Sequence, residues 1–213
     1  MPKLGCIIRP EVKALHASLA LQANLLLPAW SRVVGTPRIL GHNDQIGDCA
    51  CVAAVMAVQT HLARQGNLIA IPDDLAVQVY SAVTGYVPGN DSTDNGTDPE
   101  QLFAWWKTNG IAGYKLADFT RINPANINAL RNSIAGAGGV YLCLELSQEQ
   151  MTTKEWLPVG SPGSEGGHAV WGDSYEAQDI FVTSWGEEIG IKSTTFAAKG
   201  FVAMAYSLEL NQL

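Results

Sequence analysis

Cys49 is the residue whose surroundings offer the most chemistry. It follows Gly41-His42-Asn43-Asp44-Gln45-Ile46-Gly47-Asp48 and precedes the apolar run Ala50-Cys51-Val52-Ala53-Ala54-Val55-Met56-Ala57-Val58. A polar, glycine-bearing loop thus runs straight into a helical pattern, with a thiol at the junction. Helix starts leave backbone N–H groups unpaired and carry partial positive charge. Both favour the thiolate, which is the nucleophilic form of cysteine. Asp48 is suited to N-cap the helix. Asn43, six residues before Cys49, could turn its side-chain amide over the sulfur as an oxyanion donor. The same spacing joins Gln45 to Cys51, but Gly47-Asp48 gives Cys49 the cap geometry. A cysteine in an apolar helix is also, commonly, a small core residue.

A thiol nucleophile needs a base within reach, and the base needs a group that orients it. His168 stands behind Gly166-Gly167 at the start of a strand-like run, and Thr183-Ser184-Trp185-Gly186 follows one strand later. Thr183 is the expected third member, its hydroxyl accepting from the imidazole N–H; Ser184, Asp173 or no third residue at all compete for that place. His16, His42 and His61 have no partners in sequence and read as packing or surface residues.

In this order the pieces resemble papain-like cysteine peptidases. Gly47-Asp48-Cys49 opens the long helix, Gly167-His168-Ala169-Val170 lies on a strand, and Ser184-Trp185-Gly186 comes after it. Asp94-Asn95-Gly96 precedes a helix with Trp105-Trp106, which ends at Asn109-Gly110-Ile111. More narrowly, the layout is similar to bacterial and phage papain-like proteins with a Gly-Asn-Asp-x-x-Gly-Asp-Cys start; here His42 separates Gly41 from Asn43. The resemblance spans about residues 40–207 and implies an α+β, two-lobed fold, a helical lobe plus an antiparallel β-sheet lobe. It implies Cys49 as nucleophile, His168 as the base that later protonates the leaving group, and Asn43 as oxyanion donor where the family more often has glutamine. The Cys49 N–H would be the second donor. Trp185 would shield the histidine and, with Asn95, Gly96 and Gly167, line the substrate cleft. Two departures stand out: Thr183 where asparagine is usual, and Ala50 where an aromatic residue often follows the nucleophile.

The implied activity is hydrolysis of a peptide or amide bond through a Cys49 thioester, with a peptide or protein substrate and no cofactor or metal. The alternative is a papain-like scaffold kept as a structural or binding protein, for instance in a phage particle. A Cys49 sulfur within about 4 Å of a His168 ring nitrogen at an open cleft favours the enzyme; a cleft filled by the chain itself favours the scaffold. No long inhibitory segment is evident before Cys49, so zymogen control is not expected.

The elements that must position these residues read as follows. Residues 1–40 form a wrapping segment, in which Leu15, Leu19, Gln22 and Leu26 allow a helical face and Pro28 and Pro37 force extended chain. Residues 41–213 form the main domain, its helical lobe at about 41–135 and its sheet lobe at about 136–213. Helices are predicted over 49–65, from Pro72-Asp73-Asp74 onward with Leu75, Val79 and Val83 on one face, over 101–108, and over 126–134. Residues 85–99 form a polar loop. Its Asp91, Asp94, Asn95 and Asp98 hint at calcium, but the spacing fits no EF-hand. Trp105-Trp106 read as core and cleft wall rather than a base-stacking platform. Strands are predicted over 140–146, 168–172, 180–185 and 201–206. Helices early and strands late make an α+β pattern.

The chain has 213 residues, 47% of them hydrophobic and 15% charged, which supports a sizeable core. Its net charge of −7 argues against a general nucleic-acid binder. Cys6, Cys49, Cys51 and Cys143 show no disulfide or zinc spacing, which fits free thiols in a reducing compartment. Residues 4–8 are too short for a signal core, and residues 15–30 are too interrupted for a membrane span. A cytoplasmic or virion-associated protein is expected, with no nucleic acid or membrane partner; a homo-oligomer or a particle-associated partner is compatible.

Overall fold

The structure, a computed structural model, describes residues 2–9, 29–177 and 179–213. The expected helical face of Leu15, Leu19, Gln22 and Leu26, together with His16 and Pro28, lies outside the described residues.

Helix α1 spans Cys49–Arg64 and is buried almost all round, because its alanines and valines allow close approach on every side. Asp48 sits at its N-cap with φ −89° and ψ 8°, not extended, and makes no side-chain cap. The expected cap is corrected: Asp48 Oδ2 instead accepts from the His42 N–H at 3.1 Å. Helix α2 covers Asp74–Thr84 and stops at Gly85, which takes φ 77°. Helix α3, Pro99–Asn109, starts with proline at its first turn and with Asp98 accepting from the Glu100 N–H at 2.9 Å. Helix α4 is Ile127–Ala137, capped by Asn126, and α5 is Ser193–Ala198.

The strands are β1 Ala29–Trp30, β2 Tyr114–Ile122, β3 Val140–Leu146, β4 Glu155–Trp156, β5 Gly166–Glu176, β6 Asp179–Ser184, β7 Glu187–Ile191 and β8 Val202–Gln212. They form one sheet in the order β2-β8-β3-β5-β6-β7-β4, with β1 paired to β5. All neighbours are antiparallel except β4 and β7. The sheet therefore includes β1 and β2, both earlier in the chain than the late-strand pattern suggests.

Strand alternation splits the interior in two. Tyr141 and Cys143 of β3, with Ala169 and Trp171 of β5, face the core built on α1, α2 and α3. Val140, Leu142, Leu144 and Leu146 of β3, with Val170 of β5 and Val182 of β6, face a second core with Leu130, Ile134 and Phe196. Cys49 belongs to the first core and Trp185 packs on the second, so the candidate residues lie where the two cores meet. Among the described residues no helix is long and apolar enough to cross a membrane.

Candidate active site

The start of α1 meets the start of β5 beside two expected residues, although no hydrogen bond joins Cys49 Sγ to His168 Nδ1. The Ala169 N–H, next to His168, points at Cys49 Sγ at 3.5 Å. Both Cys49 and His168 are 1% exposed. The His168 ring is held at Nε2 by Ser184 Oγ at 2.8 Å. Its Nδ1 is buried without a hydrogen-bond partner. Trp185 stacks on the ring at 4.8 Å between centroids, and Trp156 meets it edge-on at 6.0 Å. Trp185 does this from a left-handed backbone, φ 48°, rare for a bulky side chain.

Thr183 is not the residue on the ring, which corrects the expected third member. Successive strand residues point to opposite faces. Ile180 and Val182 of β6 face the second core, and Ser184 follows them at the same period. Thr183 pairs with Trp171 in register, and its hydroxyl accepts from Arg32 Nη1 at 3.4 Å. Asp173, the other competitor, accepts from Arg32 at 3.2 Å and from Thr60 at 3.4 Å. Burial raises its pKa to about 6.

Asn43 is buried, and its Nδ2 donates to the carbonyls of Ile46, 3.2 Å, and Lys3, 3.3 Å. Cys51 points elsewhere on α1, with Sγ 4.0 Å from Thr97 Oγ1, and the Gln45 side chain donates to its neighbour Asp44.

Sequence reasoning missed what fills the cleft. Residues 2–9 run through it as an extended segment. Cys6 N donates to Gly167 O at 3.0 Å, Thr97 N to Gly5 O at 2.6 Å, and Ile7 N to Thr97 O at 3.0 Å. The bridge between Cys6 and Thr97 is parallel. The Gly5 N–H works in a small way against the rise that burial imposes on the Cys49 thiol. A Cβ on Gly5 would overlap the Gly47 carbonyl; one on Gly96 would overlap the Gly5 carbonyl, and one on Gly167 the Cys6 carbonyl. Lys3 Nζ pairs with Asp94 at 2.8 Å and Arg9 Nε with Asp98 at 2.7 Å. The stretch seated here is short, residues 2–9, and not the long inhibitory segment whose absence the sequence suggests. Its one visible signal was the Lys3-to-Arg9 stretch, short, apolar and bracketed by charge, with a glycine inside.

Of the expected cleft residues, Gly96, Gly167 and Trp185 line this site, whereas Asn95 is exposed and braces its own loop through Ser92. Burial pushes the Cys49 thiol far up and the His168 imidazole down to about 3, which favours the neutral form of each. Burial lifts the neighbouring Asp48 to about 7.

No family model matches the chain, and no curated protein matches it by sequence. Solved structures do match in fold. Xylellain, a cysteine protease from Xylella fastidiosa, superposes with a TM-score of 0.74 at 13% identity, over 98% of this chain and 96% of its own. The bromelain protease of Ananas comosus, solved with the E64 inhibitor, gives 0.63 at 13% identity, over 87% and 100%. A Carica candamarcensis cysteine protease, solved with E-64, gives 0.62 at 17% identity, over 86% and 99%. The chain therefore has the papain-like α+β fold.

Proposed function

We propose that this chain is a latent peptidase of the thiol class, with Cys49 as nucleophile and His168 as base. The observation that carries the reading is an extended peptide seated beside the thiol: its Lys3 carbonyl lies on the Asn43 amide, and its backbone is hydrogen-bonded to Gly167 on one side and Thr97 on the other.

Once the segment leaves, water reaches the pair and the burial that favours the neutral form of each is relieved. With Nε2–H donating to Ser184 Oγ, His168 Nδ1 holds the lone pair that takes the Cys49 proton. The sulfur adds to the scissile carbonyl carbon. The oxyanion is held by Asn43 Nδ2 and by the Cys49 N–H, which the helix start leaves without an intrahelical partner. His168 returns the proton to the leaving amine, and the C–N bond breaks to give a thioester. Water, deprotonated by His168, then releases the acid and restores the thiol. Trp185 on its face and Trp156 at its edge hold the ring in place throughout.

Intact mass after treatment with a peptidyl epoxide tests this. The parent chain should label slowly. A chain carrying Gly5→Val, which cannot seat the segment, should take one equivalent. Cys49→Ala in that background should take none, and Cys51→Ala should still take one. Label that persists in Cys49→Ala overturns the reading.

Ser184 acts here by positioning the ring. In the opened chain, Ser184→Ala should lower kcat about tenfold, as expected for one buried hydrogen bond, and should move the acidic limb of the pH profile. Thr183→Val should leave both within about twofold, since its hydroxyl serves Arg32.

A second reading, a scaffold whose cleft is permanently closed, draws on the occupied cleft and on a ring whose Nδ1 has no partner. It predicts no single reactive cysteine even after the segment is displaced.

A further inference from the structure

We infer that the cleft selects peptides with basic side chains flanking a glycine, read by Asp94 and Asp98. The inference rests on the peptidase reading only for the fate of the peptide; the recognition stands on the walls of the cleft.

The occupying segment shows what those walls accept. Each of the two carboxylates is fixed through one oxygen and offers the other. Asp94 Oδ1 accepts from Tyr80 Oη at 2.8 Å and from the Gly47 N–H at 3.0 Å, which leaves Oδ2 to Lys3. Asp98 Oδ1 caps α3 through the Glu100 N–H, which leaves Oδ2 to Arg9. Burial works against the Asp94 charge, yet the hydrogen bonds from Lys3, Tyr80 and Gly47 hold its carboxyl below the usual range. Its side chain is 2% exposed with Lys3 in place, so without a cation it would present a charge fixed in a groove.

Between these two posts the groove narrows. Gly47 closes on Gly5 from one side and Gly96 from another, so a side chain at that point has no room. On either side of the glycine the segment is apolar: Leu4 packs on the second core and Ile8 on the first. A productive peptide must bring a carbonyl carbon to the sulfur. The carboxylates and the glycine slot belong to the walls and act on a chain of either direction. A net charge of −7 favours encounter with such basic peptides.

Fluorescence polarisation on the full chain carrying Gly5→Val and Cys49→Ala tests the assignment. The probe is the octapeptide of residues 2–9, with serine for cysteine. Its counterpart has glutamine at both basic positions. The neutral peptide should bind about tenfold weaker at low salt, the sum of two partly exposed ion pairs. Combining Asp94→Asn with Asp98→Asn should erase that difference, since both variants keep their internal hydrogen bonds. Alanine for the glycine should weaken both peptides. Equal affinities, or a basic preference that survives both asparagines, overturns the assignment. Should Gly5→Val fold poorly, Cys6→Glu displaces the segment by a different route, because Cys6 is 6% exposed. Hydrolysis of the same peptides by the Cys49-bearing chain separates the two claims. Basic preference without cleavage sinks the peptidase and keeps the recognition. Cleavage without preference does the reverse.

Discussion

A chain carrying Gly5→Val should hydrolyse peptides about 100-fold faster than its parent. The valine Cβ would collide with the Gly47 carbonyl, a backbone atom that cannot step aside without dragging the loop that leads to Cys49. Three backbone hydrogen bonds, the Lys3 carbonyl on Asn43 and two ion pairs leave with the segment. If these hold the closed form by about 3 kcal/mol, only about 1% of the parent is open, and full opening recovers the missing activity. The gain should appear in kcat/KM, with a melting temperature close to the parent's. A rate unchanged while circular dichroism shows a folded chain would mean that residues 2–9 do not gate the site. The opened enzyme should also lose activity on the acid side at a pH well above 3. Only the buried imidazole is pushed that low, and a hydrated His168 returns toward its ordinary range.

In that opened background, Cys49→Ala should cut kcat by at least about 10⁴-fold, the scale seen when a covalent nucleophile is removed. The remaining groups can orient a substrate and stabilise an oxyanion, but no other thiol shares the cleft position. Cys51→Ala is the control. It sits two residues on, turned toward Thr97. Its loss should cost about 1 kcal/mol of stability from a small buried gap and leave kcat within a fewfold. Full activity in Cys49→Ala, checked by mass spectrometry to exclude wild-type carry-over, would remove the covalent mechanism altogether.

The sequence displayed the parts whose signals are local. The Cys49 helix, the helices at 74 and 99, and strands β3, β5, β6 and β8 all follow from periodicity and caps that neighbouring residues determine. Strand β2 was hidden because it is an edge strand. Lys115, Asp118, Thr120 and Arg121 break its apolar alternation, and a register shift between Leu116 and Asp118 disturbs it further. Strand β7 is short and opens with two glutamates. At the site, Cys49 and His168 were legible as residue types at element starts. The choice between Thr183 and Ser184 was not, since it depends on which face of β6 meets the ring. Least legible was the segment in the cleft. Gly5, Gly47, Gly96 and Gly167 owe their fit to one another, yet they lie far apart along the chain, and no local pattern marks a glycine chosen by a distant backbone.

Trp185 and Gly186 join β6 to β7 as a two-residue turn, closed by the Ser184–Glu187 pair, and both take positive φ, 48° and 73°. Such turns favour asparagine followed by glycine. The indole is therefore a poor turn former retained at a place where a better one is easily had. Asparagine at position 185 would therefore ease the turn and at the same time strip the imidazole of the ring stacked on its face.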